Sequence, residues 1–182
     1  MFDMSFVVGR RQRSRKMVRT FVTLIAMILM TLTPGARVQF AEAQSLEGDL
    51  AIMSAAAALE LQAIAAYQAG AESGLLSPPI LAAAVSFLED HQAHANALNS
   101  TLNALGAEAI RSHGRYDFGT LENQGDVLRL ALQLEQGAAD AYTALAANLQ
   151  NKDVLVAAAG ILVDEVSHAT TLRLVLGLPV FD

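Results

Sequence analysis

Residues 60–67 read ELQAIAAY, and residues 135–142 read EQGAADAY. Each stretch opens on Glu and closes on Tyr seven positions later, two helical turns on, so both side chains lie on one face. A second pair follows the same logic: HQAHANAL at 91–98 and EVSHATTL at 165–172. The Glu and Tyr pairs are offset by 75 residues, and His91/Glu165 and His94/His168 by 74. One helical hairpin is therefore written twice, which predicts a pseudo-two-fold axis.

Working outward, apolar residues recur at three and four, the helical period, in a segment rich in Ala and Leu. Breakers divide it. A first helix is expected from about Leu46 to Ala71. Ser77-Pro78-Pro79 suits the start of a second, with Ser as cap and Pro in the first turn, running to about Leu105 before Gly106. AEAIRSHGRYDFG reads as a long crossing loop, and a third helix is expected from about Thr120–Asn123 to Leu149. Asn151-Lys152-Asp153 reads as a short turn before a fourth helix, Val154 to Leu176, ending at Gly177. Short, long and short links imply two antiparallel hairpins joined by a crossover, one of the connectivities of a four-helix bundle.

Six polar residues fall on the apolar faces of these helices: Glu60, His91, His94, Glu135, Glu165 and His168. A buried carboxylate is costly unless paired or bound to metal. No Lys or Arg shares these faces at those levels, so a divalent ion, or in part protonated His, must supply positive charge. In E-x-x-H and H-x-x-H both side chains project from successive turns and reach one ion, and carboxylate with imidazole suits Fe, Mn or Zn. Taken singly, Glu60 reads as a partly exposed or protonated carboxyl and His94 as a hydrogen-bonded core histidine. Taken together, metal binding competes with a vestigial site in which Glu–His hydrogen bonds satisfy the core. Tyr67 and Tyr142 read as core tyrosines with satisfied hydroxyls, or as groups that bond the ligands from behind. Glu89, Asp90, Asp140 and Asp164 read as solvated surface, with Asp164 a candidate to orient a ligand.

The order Glu, His-x-x-His, Glu, Glu-x-x-His resembles the ferritin-like superfamily of di-metal carboxylate bundles, and within it the exported, desiccation-related type. The resemblance covers residues 46–176. It implies an all-α, ferritin-like antiparallel four-helix bundle. It implies Glu60 and Glu135 as terminal ligands, Glu165 as a bridge, and His94 and His168 as caps of two metals. His91 departs from the pattern, which has a second bridging Glu there. Imidazole offers one lone pair and does not bridge as a carboxylate does. Two ions with one bridge and a single ion in a His-rich subset both stay open, as Fe or Mn with Zn as the other choice. If the chain is an enzyme, the resemblance implies an oxidoreductase of the non-haem di-metal carboxylate type, acting on oxygen or peroxide or protecting the envelope under stress. The alternatives are a non-catalytic structural or interaction bundle and a structural Zn site. A homodimer is left open. A large storage cage is disfavoured, because the tail LPVFD is too short for a fifth helix.

The N-terminus reads as an address. GRRQRSRKMVR is basic, FVTLIAMILMTL (Phe21–Leu32) is apolar, helix-breaking Pro34 and Gly35 follow, and Ala41-Glu42-Ala43 is a small-residue cleavage site. Twelve residues fall short of the roughly 20 that span a bilayer, so a cleaved signal peptide (1–43) is expected rather than a permanent anchor. The domain is then 44–182, exported to the periplasm or beyond, by the general secretory route in preference to the twin-arginine one. Of twelve Lys and Arg, seven lie before residue 38, and the chain after Ala43 carries five basic against sixteen acidic residues. So acidic a body excludes nucleic acid as a partner. With no Cys, disulfides, thiolate zinc sites, iron–sulfur clusters and Cys nucleophiles are excluded. Five of six Met precede residue 31, which excludes a Met copper site.

Overall fold

The computed structural model describes residues 34–111 and 115–180. The basic and apolar parts of the expected signal and His113 lie outside the described residues. Four helices make up the described chain: α1 (Pro34–Glu72), α2 (Pro78–Ala104), α3 (Gln124–Ala146) and α4 (Lys152–Val175). No strand occurs among the described residues. The chain divides into two units, Met1–Gln44 and Ser45–Asp182, and the bundle is the second.

Local chemistry sets the helix ends. Ser77 is extended at the N-cap of α2, with Pro78 and Pro79 in the first turn, where a missing N–H costs nothing. Gly106 and Gly177 follow α2 and α4 with φ of 84° and 68°, the left-handed geometry that stops a helix cheaply at glycine. Several boundaries differ from expectation: α3 ends at Ala146 rather than near Leu149, α4 opens at Lys152 within the expected turn, and two starts have a local cause. α1 opens at Pro34, not near Leu46, because proline at a first turn starts a helix as readily as it interrupts one. α3 opens at Gln124, just past the expected Thr120–Asn123 start, because Asn123 and Asp126 close a capping box there: each side chain accepts from the other's backbone N–H.

The helix directions follow from cross-helix contacts. Tyr67 meets Glu135 while Tyr142 meets Glu60, so α1 and α3 run antiparallel. His94 meets Asp164 while His168 meets Asp90, so α2 and α4 do too. Two apolar clusters flank this polar layer. One gathers Met53, Ala56, Leu98, Tyr142, Ala158 and Ile161. The other gathers Leu128, Ala131, Leu172 and Tyr67, with Ala84 and Phe87 packed on it. Each of the six residues named in the first sits 74 or 75 positions from its mate in the second, so the repeat in the sequence is a two-fold relation in the core. Each cluster excludes water from one side of the polar layer.

Candidate metal centre

The structure brings all six polar candidates together between the two clusters. Glu60, His91, Glu135 and Glu165 are each no more than 2% exposed, and His94 and His168 are buried as well. Glu60 comes from the middle of α1, His91 and His94 from successive turns of α2, Glu135 from α3, and Glu165 and His168 from successive turns of α4. Two groups emerge, each with ligand atoms within 4.8 Å of one another: Glu60, His91, His94 and Glu165, and His91, Glu135, Glu165 and His168. His91 and Glu165 belong to both.

Each glutamate on α1 and α3 is held from behind by a tyrosine of the opposite helix. Tyr142 donates to Glu60 Oε1 at 2.5 Å, and Tyr67 donates to Glu135 Oε1. Burial and the facing carboxylate push both phenols far above their ordinary value, so each keeps its proton and remains a donor. The two outer histidines are held from the rim. His94 Nε2 lies 3.1 Å from Asp164 Oδ2, and His168 Nε2 lies 3.3 Å from Asp90 Oδ2. In each imidazole this leaves Nδ1 facing the centre. Asp90, read from the sequence as solvated surface, and Asp164, read as surface but a candidate to orient a ligand, thus both take part in the site. A carboxylate behind an imidazole fixes its tautomer and raises its basicity, the usual support of a metal-binding histidine.

Inside the layer the hydrogen bonds run out. His91 spans the middle, with Nδ1 2.8 Å from Glu60 Oε2 and Nε2 3.2 Å from Glu135 Oε1. Five buried atoms have no hydrogen-bond partner: His94 Nδ1, His168 Nδ1, Glu135 Oε2 and both oxygens of Glu165. Four of them face one another in pairs at 3.5 Å, His94 Nδ1 to Glu165 Oε1 and His168 Nδ1 to Glu135 Oε2. That separation is too long for a good hydrogen bond and close to the edge of a coordination polyhedron, about 3.4 Å for bonds of about 2.1 Å. The residues therefore fit a metal ion. The convergence of these ligand atoms is compatible with metal binding, and in the metal-free layer the imidazoles face the carboxylates as long ion pairs.

The electrostatics agree with that fit. Burial pushes the Glu165 carboxyl up, and the nearby Glu135 and Glu60 carboxylates add to this against the pull of His94; the group titrates at about 7. Burial also opposes charge on Glu60 and Glu135, but His91, His94 and the Tyr142 hydroxyl around Glu60, and His168, His91 and Glu165 around Glu135, outweigh it and hold both below the ordinary carboxylate range. Burial pulls His91 and His94 down, yet the carboxylates on either side win and raise each to about 10. His168 is raised in the same way, chiefly by Glu135. The metal-free site thus holds protons where a cation would serve.

Beside the layer, on the Tyr67 side, lies an apolar cavity of about 40 Å³ walled by Ile80, Ala84, Phe87, Leu128 and Leu172. Phe87 stacks on His168 with ring centroids 3.9 Å apart, so the cavity touches the centre through Phe87 and Tyr67.

Residues 48–178 match the ferritin-like domain family. The chain belongs to that family. Among solved structures, a conserved hypothetical protein from Mycobacterium tuberculosis is 25% identical with a TM-score of 0.68, over 76% of this chain and 97% of that one. A ferritin-like, diiron-carboxylate protein from Bacillus anthracis is 22% identical with a TM-score of 0.63, over 72% of this chain and 97% of that one; at that identity the likeness shows the ferritin-like fold alone. No curated protein matches the chain. The ferritin-like fold and a buried Glu/His cluster compatible with metal binding are thus both present in this chain.

Proposed function

We propose that this chain is an exported, metal-binding ferritin-like protein whose metal centre is built from Glu60, His91, His94, Glu135, Glu165 and His168. The single observation that carries the reading is the set of five buried ligand atoms without partners, all on these residues and all facing inward. The Bacillus anthracis relative, a diiron-carboxylate protein by name, supports Fe, with Mn and Zn as the other ions this donor set accepts. When bound, a redox-active ion would supply electron transfer to a small oxidant; a Zn ion would supply structure.

The chain's own residues would do the rest. Asp90 and Asp164 orient His168 and His94, while Tyr67 and Tyr142 fix the carboxylates of Glu135 and Glu60. The apolar clusters keep water from the layer, and the cavity against Phe87 suits dioxygen better than the more polar peroxide. The N-terminal pattern of basic run, apolar run and A-x-A supports export.

The test is elemental mass spectrometry on the full chain, purified without chelator or His tag, beside Glu165→Ala. Stoichiometric Fe or Mn, lost in the variant, is expected and would justify oxygen and peroxide assays. Stoichiometric Zn would make the site structural. Absence of metal, with the variant folded, would leave a scaffold bundle with a vestigial polar core.

A further inference from the structure

The internal repeat supplies a mate for nearly every group in the centre. Glu60 pairs with Glu135, Tyr67 with Tyr142, His94 with His168, and Asp90 with Asp164. One pair breaks the symmetry: His91 stands where its mate, 74 residues on, is Glu165. The two residues behave in opposite ways. Both oxygens of Glu165 lack partners, whereas both nitrogens of His91 are engaged.

Once an ion displaces one of its protons, the His91 imidazole keeps one N–H and gains one lone pair, so only one of its nitrogens can bind an ion. The shorter contact, 2.8 Å, joins Nδ1 to Glu60 Oε2, which places the N–H there. Both oxygens of Glu60 are then engaged, since its Oε1 accepts from Tyr142. In the Glu60 half only His94 Nδ1 and Glu165 Oε1 remain without partners, 3.5 Å apart. The other half is different. There Glu135 Oε2 and His168 Nδ1 are unpartnered 3.5 Å apart, Glu165, neither of whose oxygens has a partner, belongs to the same group, and His91 Nε2 faces Glu135.

We infer that the centre holds one metal ion, in the half formed by His91, Glu135, Glu165 and His168, and that the N–H of His91 stands in the other half where a second ion would sit. This rests on the metal-binding reading above and adds to it the number of ions and their place. The centre is a two-metal frame in which one position has been given to a proton on carbon-bound nitrogen, leaving two imidazoles and two carboxylates for a single ion.

Titration of the metal-free full chain with Mn(II), read by elemental analysis after gel filtration and by electron paramagnetic resonance, tests this. One Mn per chain with the spectrum of an isolated ion is expected. Glu135→Gln should weaken binding at least tenfold, and by clearly more than Glu60→Gln does. His91→Glu, which restores the carboxylate that the repeat has at Glu165, should take up a second Mn and show a spin-coupled spectrum. Two Mn in the unaltered chain, or equal losses in Glu60→Gln and Glu135→Gln, would overturn the single-ion inference and leave metal binding standing. No Mn, Fe or Zn bound by the unaltered chain would overturn the metal reading itself. The two Gln variants are nearly isosteric, so the comparison holds even if His91→Glu fails to fold, which circular dichroism would show.

Discussion

At the scale of single residues, the two rim aspartates separate the two halves of the centre experimentally. Asp90 holds His168, in the half assigned to the ion, and Asp164 holds His94, in the half assigned to the proton. Removing a carboxylate behind a metal-bound imidazole typically costs 10–100-fold in affinity. Both aspartates are about half exposed, which puts the effect at the low end of that range. Asp90→Asn is therefore expected to weaken Mn(II) binding about tenfold and Asp164→Asn to change it little, measured by the same titration. The six inward residues were legible in the sequence because each interrupts an apolar helical face. Asp90 was not, because its partner lies on another helix and its own position reads as surface. The repeat held the missing signal: Asp90 and Asp164 share the 74-residue offset of the histidines they hold.

At the scale of elements, the bundle is tied together where helices end. Asp49 on α1 is buried, and its two oxygens accept from the backbone N–H groups of Gln150 (2.9 Å) and Asn151 (2.7 Å) in the α3–α4 turn. Asn151 then caps α4 by accepting from Asp153 and Val154 N–H. One carboxylate thus fastens the second hairpin to the first helix. Asp49→Ala would strand two backbone donors and is expected to cost about 1–3 kcal/mol, read by urea unfolding of the metal-free protein. Asp49→Asn, which keeps one acceptor, should cost less. The number of helices and the order of short and long links were readable, since Pro, Gly and the apolar period mark them. The long loop hid its own anchor: Asn99 on α2 both donates to and accepts from the backbone of Ile110, a pairing across eleven residues that no local pattern signals. Pro34 misled in the same way, since proline marks a helix start and a helix stop equally well until the chain around it is seen.

At the scale of the whole molecule, a charged layer lies between two apolar clusters that repeat each other, and the stability of the metal-free bundle must follow how that layer titrates. Glu60 and Glu135 have folded values below their ordinary 4.5, so their contribution is present above about that pH and is lost as pH falls. His91 and His94 are raised from 6.5 to about 10, so their contribution is complete below pH 6.5 and is lost as pH rises toward 10. Glu165, raised from 4.5 to about 7, works in the same direction, since ionising it within the core becomes costly as pH climbs through that interval. The metal-free chain is therefore expected to be most stable at about pH 5–6 and to lose stability steadily toward pH 10. A metal ion replaces the protons and binds more tightly as they leave, so its stabilising effect should grow over the same range. Thermal unfolding followed by circular dichroism from pH 4 to 10, with chelator and with saturating Mn(II), measures both. The gap between the two Tm curves should widen above about pH 6.5. A metal-free Tm that rises between pH 6.5 and 9 would mean that the carboxylates of the layer are not held by protonated imidazoles, and that the folded layer rests on some other source of charge.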